Sequence, residues 1–185
     1  SHLASRNELG DYLNELGLTG KGVEIGTHQG DYAVQILSRW KGEKLYCVDP
    51  YERAPEYEDQ VEKLPCGLGR DRKEDAILCK QNLTPYKGRV GILRMTSIEA
   101  MTLFDDDSLD FVYLDGNHTQ RYVEMDLVGW LPKLRPGGLL AGHDIVCHGS
   151  PDGEHNWGRE IQPAVMNRLG GMVIYLIVEG GKLPW

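Results

Sequence analysis

The fold of this chain is decided by the segment VEIGTHQG at residues 23–30. A short apolar run ends there in two glycines, Gly26 and Gly30, and an amphipathic pattern over 32–40 follows directly. Short apolar runs bounded by glycine are typical of buried strands, and glycine allows the tight turn that leads from such a strand into a helix. The segment therefore predicts a strand–turn–helix unit whose turn lies at the carboxyl end of the strand.

Strand and helix patterns alternate outward from this unit along the whole chain. Further strands are predicted at 45–48, 90–93, 109–114, 139–142 and 172–178, and helices at 6–17, 76–83, 119–134 and 160–169. Nearly continuous apolar strands that alternate with helices are typical of a mostly parallel sheet with helices on both faces. We therefore expect residues 1–185 to form a single α/β domain. The charged residues 51–75, broken by prolines and glycines, predict a lid-like excursion.

Composition excludes several classes of protein. The formal net charge of −8 argues against binding to nucleic acid or to an anionic membrane, since both favour a basic surface. No apolar run approaches the roughly 18 residues that span a bilayer. The four cysteines include no C-x-x-C pair, which is typical of thiols in a reducing compartment. We expect a cytoplasmic protein with a small-molecule partner.

Residues that could carry chemistry follow the first two strands. Glu24 precedes the glycine turn, and an acidic residue there suits a positively charged ligand. The turn does not match the dinucleotide pattern G-x-G-x-x-G, because His28 takes the place of its second glycine. Asp49 follows the second strand about 20 residues beyond the turn, where a carboxylate can accept hydrogen bonds from ribose hydroxyls. An ordinary Asp-Pro turn is the alternative for Asp49.

The fourth and fifth predicted strands end in acidic and imidazole side chains. The fourth is followed by Asp115 and His118, and the fifth by His143 and Asp144. Because adjacent parallel strands end at the same edge of a sheet, these groups should converge there as a metal site or an acid/base cluster. The alternative is that Asp115 caps the next helix and His143 is simply buried.

Together these motifs resemble a class I S-adenosylmethionine-dependent methyltransferase of the metal-associated small-molecule O-methyltransferase group, which includes the macrocin-type sugar methyltransferases. The motifs that carry the resemblance are VEIGTHQGDY at 23–32, VDPY at 48–51, DFVYLDGNH at 110–118 and LRPGGLLAGHDI at 134–145. The resemblance covers nearly the whole chain. It implies a Rossmann-like methyltransferase fold and methyl transfer from S-adenosylmethionine to a small-molecule hydroxyl.

The resemblance also implies roles for individual residues. Glu24 would face the ammonium of the cofactor, Asp49 its ribose, and Thr96 and Ser97 its adenine. The full set of implied cofactor contacts is Glu24, Gly26, Thr27, Gly30, Asp49, Thr96, Ser97 and Asp115. His118 would be the general base beside Asp115, and the implied metal ligands are Asp115, Asp144 and His143.

Several alternatives stay open at this point. His143 stands where metal-dependent relatives often have a carboxylate, and magnesium prefers oxygen ligands. Either His143 points away, or the site takes manganese, iron or zinc, or no metal binds. Asp115 with His118 and His143 would also suit a non-heme iron oxygenase, and a non-catalytic S-adenosylmethionine-binding protein is a further alternative. The methyl acceptor, a homo-oligomeric state and the presence of the family's last strand are left open.

Overall fold

The computed structural model describes residues 5–52, 72–143 and 158–169. The strands in this part are β1 (Lys21–Ile25), β2 (Lys44–Val48), β3 (Val90–Leu93), β4 (Leu109–Leu114) and β5 (Leu134–Gly142). The helices are α1 (Leu9–Glu15), α2 (Asp31–Arg39), α3 (Arg72–Leu83), α4 (Ser97–Met101), α5 (Gln120–Trp130) and α6 (Gly158–Leu169). The described strands form one sheet in the order β3-β2-β1-β4-β5, and every neighbouring pair is parallel.

Helices cover both faces of this sheet, as the sequence predicts. One face packs against α1, α2 and α3 through Leu13, Ile36, Leu83 and Phe111. The other packs against α4 and α5 through Val23, Ala100, Val112 and Trp130. The strands are apolar on both sides because each side is buried, and the expected single α/β sandwich with a parallel sheet is confirmed for the described residues.

The strand order reverses at β1, and this reversal positions the site. The chain runs from β1 outward to β2 and β3 and then returns to place β4 on the other side of β1. Ligands of open parallel sheets bind at such a switch point, at the carboxyl ends of the strands. The backbone N–H of Gly26 donates to the Val48 carbonyl at 2.9 Å, and that of Asp115 donates to the Ile25 carbonyl at 2.9 Å. These two hydrogen bonds bring the ends of β1, β2 and β4 together.

Two boundaries on the carboxyl-terminal side differ from the sequence-based prediction. The helix expected over 119–134 ends at Trp130, because Pro132 lies in a separate 3-10 turn, Leu131–Lys133. The fifth strand begins at Leu134 rather than 139, and its register with β4 shifts so that Leu109 pairs with Leu134 but Phe111 with Leu139. Gly137 and Gly138, which the sequence places in a turn before the strand, therefore lie inside β5, where the register shifts.

Other differences concern short or interrupted segments. Helix α4 is absent from the prediction because its five residues are too few to show a helical repeat. Helix α3 begins at Arg72, so the last residues of the predicted excursion 51–75 are helical. Residues 53–71 and the predicted strand 172–178 lie outside the described residues. Within the described chain, every helix is too short or too polar to cross a membrane.

We expect Gly22→Ala to destabilise the fold by overpacking the core. A Cβ at position 22 would lie 2.0 Å from Cε1 of Phe111, which is buried and packs edge-on against Trp40 at 5.0 Å. Overpacking of this kind costs about 1–3 kcal/mol, so the free energy of unfolding in urea should fall by that amount. Gly88→Ala is the control, since a Cβ there meets none of the described atoms within 4 Å. Equal losses in the two variants would contradict this account.

Candidate functional site

A cavity opens at the carboxyl ends of β1 and β4. It is lined by the turn after β1, by the first turn of α2 and by Asp115 at the end of β4. The lining includes Glu24, Gly26 and Thr27 from β1 and its turn, Tyr32 from α2, and Arg6. The cavity therefore lies at the switch point of the sheet, where the sequence places a ligand.

Glu24 is the most unusual group in this cavity. Its carboxyl is 2% exposed, and burial, together with the nearby charges of Asp115 and Asp49, raises the pKa of Glu24 to about 8. Its Oε2 atom is buried and has no hydrogen-bond partner among the described residues. Leaving a buried acceptor unsatisfied costs free energy, so a hydrogen-bond donor that reached this oxygen would stabilise it.

The glycines of the turn are required by backbone geometry. Gly26 has φ of 85°, and a Cβ there would lie 2.0 Å from the carbonyl oxygen of Asp115. Gly30 has φ of 82° and forms the N-cap of α2, where a Cβ would lie 3.2 Å from Sγ of Cys79. The predicted tight turn is confirmed, and its close approach to β4 shapes the cavity.

Asp49 lies directly behind this turn and is fully hydrogen-bonded. Its carboxylate accepts from the backbone N–H of His28 at 3.0 Å and from that of Tyr51 at 2.8 Å. Arg72 Nη2 donates to both carboxylate oxygens, at 2.9 and 3.0 Å. Sequence reasoning missed Arg72, because it is separated from Asp49 by a segment without a helical or strand pattern.

A second buried carboxylate, Asp75, ties α3 to the glycine turn. Gln29 Nε2 donates to Asp75 Oδ1 at 2.8 Å, and His28 Nε2 lies 3.3 Å from Asp75 Oδ2. His28 has φ of 51°, in the left-handed region that residues other than glycine adopt uncommonly. No local sequence motif indicates this contact, since the residues are far apart in the chain.

The ends of β4 and β5 bring two imidazoles to one carboxylate. Asp115 Oδ1 lies 3.5 Å from His118 Nε2 and 3.9 Å from His143 Nδ1. The turn before α5 is closed by Asn117, whose Oδ1 accepts from the backbone N–H of Thr119 at 3.0 Å. The convergence expected of Asp115, His118 and His143 is therefore present. Asp144 lies outside the described residues, and within them no group of three acidic, histidine or cysteine side chains is arranged to hold a metal ion.

Thr96 and Ser97 have structural partners and do not line the cavity. The Thr96 hydroxyl accepts from the Glu99 backbone N–H, and Glu99 Oε2 accepts in return from the Thr96 backbone N–H, which forms a capping box on α4. Ser97 Oγ donates to Asp126 Oδ1 at 2.5 Å and accepts from Trp130 Nε1 at 2.8 Å. Their suggested position beside an adenine stays a prediction. The spacing from Thr96 to Glu99 was a sequence signal for α4.

An aromatic wall beside Asp115 was missed by sequence reasoning. The rings of Tyr32 and Tyr113 lie 4.5 Å apart, and the Arg6 guanidinium lies 5.3 Å from the Tyr32 ring centre. The Tyr32 hydroxyl donates to the Arg6 carbonyl at 2.9 Å. Tyr113 is the last but one residue of β4 and precedes Asp115 by two positions in the sequence, and this proximity was the available signal.

A family model described as a methyltransferase domain, Methyltransf_24, matches residues 23–145. The matched span runs from β1 to the end of β5 and includes the glycine turn, Asp49, Asp115 and His118. An uncharacterized protein of Sinorhizobium fredii, y4gI, is 38% identical over 67 residues. That match covers 36% of this chain and 7% of the relative, so the chain corresponds to a small part of the relative's length.

Solved structures with a similar fold include two O-methyltransferases. TomG from Streptomyces achromogenes, which is involved in tomaymycin synthesis and was solved with S-adenosylmethionine, has a TM-score of 0.63 and 16% identity, over 94% of this chain and 71% of its own. An O-methyltransferase from Bacillus cereus, solved with S-adenosylhomocysteine, has a TM-score of 0.61 and 13% identity, over 92% of this chain and 70% of its own. At these identities the likeness shows a shared fold.

We expect Glu24→Gln to stabilise the protein increasingly as the pH rises. The folded state holds a proton on Glu24 up to about pH 8, whereas the unfolded chain releases it near the ordinary value of 4.5. The free energy of unfolding of the wild-type protein therefore falls as the pH rises from 4.5 to about 8. At about 1.4 kcal/mol per pKa unit, the variant should gain a few kcal/mol over wild type at pH 8.

The measurement is the free energy of unfolding in urea at several pH values between 5 and 8.5. Glu43→Gln, which changes an exposed carboxylate just before β2, is the control and should follow the wild-type curve. A constant difference between Glu24→Gln and wild type over the whole range would show that the buried carboxyl is not the titrating group.

Proposed function

Because the chain belongs to the methyltransferase-domain family Methyltransf_24, we propose that it binds S-adenosylmethionine beside Glu24 and methylates the hydroxyl of a small molecule. One observation carries this proposal. Glu24 Oε2 is buried at the switch point without a partner among the described residues, and an ammonium group would supply the missing donor. Dinucleotides are poor candidates for this position, because a pyrophosphate would meet a carboxyl group there.

The residues around the cavity fit the proposed cofactor in three respects. Glu24 offers an acceptor to the amino group, and a nearby positive charge would favour its ionised form. Gly26 allows the turn that lines the cavity to lie directly against the Asp115 backbone, where no side chain fits. Asp49 lies at the end of β2, where its carboxylate would accept from the ribose hydroxyls. The remaining implied contacts, among them Thr27, Gly30, Thr96 and Ser97, rest on the family resemblance.

His118 and Asp115 supply the acid/base chemistry that the reaction needs. The sulfonium of the bound cofactor provides an electrophilic methyl group, and the protein's task is to position the acceptor and remove its proton. His118 would accept the proton of the acceptor hydroxyl. Asp115, 3.5 Å from His118 Nε2, would stabilise the imidazolium that results. The Tyr32 ring, which lines the cavity and packs against Tyr113, would exclude water from one side of the cavity.

The proposed proton transfer needs only His118 and Asp115, and magnesium would find few oxygen ligands among the described residues. The described donors are one carboxylate and two imidazoles, His118 and His143, which magnesium does not favour. They do not form a cluster arranged for a metal ion. The ligand set of Asp115, Asp144 and His143 stays a prediction from the resemblance, because Asp144 is outside the described residues.

We expect Gly26→Ala to weaken the binding of S-adenosylhomocysteine at least tenfold, which corresponds to about 1.4 kcal/mol. The added Cβ would lie 2.0 Å from the Asp115 carbonyl oxygen and would push the turn away from β4. Isothermal titration calorimetry measures the affinity. Gly17→Ala is the matched control, because Gly17 also has positive φ, 70°, but a Cβ there meets no described atom within 4 Å. If wild type gives no binding heat at hundreds of micromolar ligand, the proposed function is wrong.

We expect His118→Gln to lower kcat by about a hundredfold or more while leaving the affinity for S-adenosylhomocysteine within twofold of wild type. General bases typically contribute this much to a rate, and glutamine keeps the size of the side chain without its basicity. The acceptor would first be identified by screening hydroxylated compounds for methyl transfer from radiolabelled S-adenosylmethionine. Full activity in the variant would exclude His118 as the base.

A further inference from the structure

Asp49 has no unused acceptor site in this structure. Its Oδ1 accepts from Tyr51 N–H at 2.8 Å and from Arg72 Nη2 at 2.9 Å. Its Oδ2 accepts from His28 N–H at 3.0 Å and from Arg72 Nη2 at 3.0 Å. A carboxylate offers about four lone-pair sites, and these contacts use all of them. A ribose diol therefore cannot bind Asp49 unless one donor leaves.

Arg72 is the donor that can leave. The two N–H groups belong to the backbone of the turns after β1 and β2, whereas the guanidinium is on a long side chain with many rotamers. Arg72 also has a second carboxylate within reach, because its Nε lies 3.8 Å from Asp75 Oδ2 one helical turn further along α3. The Asp49 and Asp75 side chains are 5% and 2% exposed, and that of Arg72 is 18% exposed.

Charge balance favours movement of the Arg72 guanidinium from Asp49 to Asp75 over its release to solvent. A buried carboxylate that loses its cation pays a desolvation penalty. If Arg72 shifts towards Asp75, the positive charge stays between two acidic groups, and ribose hydroxyls can replace its hydrogen bonds to Asp49. The move is short, because the guanidinium already lies between the two carboxylates.

We infer that Arg72 competes with the ribose of the cofactor for Asp49 and lowers cofactor affinity until it shifts to Asp75. The inference rests on the proposed function, since it needs a ribose at Asp49. Arg72 is then a residue that sets the affinity of the nucleoside site, and α3 is coupled to cofactor binding through its first residue. The observed association constant equals the intrinsic association constant multiplied by the fraction of molecules in which Arg72 has left Asp49.

The test measures the binding of two ligands to three proteins by isothermal titration calorimetry. The ligands are S-adenosylhomocysteine and its 2′,3′-dideoxyribose analogue, and the proteins are wild type, Arg72→Met and Lys80→Met. Lys80 is an exposed cation on the same helix and is the matched control. Arg72→Met should bind S-adenosylhomocysteine roughly three- to tenfold more tightly than wild type, in line with the loss of one partly buried ion pair. The dideoxy analogue should bind wild type and Arg72→Met within twofold.

The other outcomes separate failure of the inference from failure of the proposed function. If wild type binds S-adenosylhomocysteine and Arg72→Met binds it equally or less tightly, Arg72 does not compete and the inference is wrong. If none of the three proteins binds it, the proposed function is wrong and the inference falls with it. Circular dichroism establishes folding of each variant. Should Arg72→Met not fold, Arg72→Lys takes its place, because an ammonium is a weaker competitor than a guanidinium and the same direction of change is required.

Discussion

The contact between the turn after β1 and the end of β4 holds the site together. Gly26 lies against the Asp115 carbonyl so closely that a side chain cannot fit, and the Asp115 N–H donates to the Ile25 carbonyl. This contact sets the distance between Glu24, near the end of β1, and the imidazoles that follow β4 and β5. Glu24 and Asp115 therefore line one cavity because two backbones meet without an intervening side chain.

Negative charge is concentrated at this edge of the sheet, and each carboxylate is accommodated differently. Glu24 is buried with a pKa raised to about 8, and so it is neutral at neutral pH in the ligand-free protein. Asp49 is paired with Arg72, and Asp115 lies beside His118 and His143. Burying Glu24 lowers stability at neutral and higher pH, and strongly shifted pKa values of this kind are concentrated at functional sites.

The sequence predicts the framework well because the framework depends on local patterns. Apolar runs and glycine positions locate the described strands, and the strand ends place Glu24, Asp49, Asp115 and His118 at one edge of the sheet. Errors occur where the local pattern is weak. Helix α4 is too short to show periodicity, and the start of β5 depends on a register shift against β4 that only strand pairing can produce.

By itself, the sequence determined the α/β class, the parallel sheet and the edge at which the candidate site residues gather. These properties follow from hydrophobic periodicity and from the rule that parallel strands present their carboxyl ends together. Only the tertiary structure decided which partner each charged group has. It assigned Arg72 to Asp49, His28 to Asp75, and the Ser97 hydroxyl to Asp126 rather than to the cavity. Such pairings join residues that are distant in the chain, and the distances and burial that select them exist only after the sheet and helices have packed.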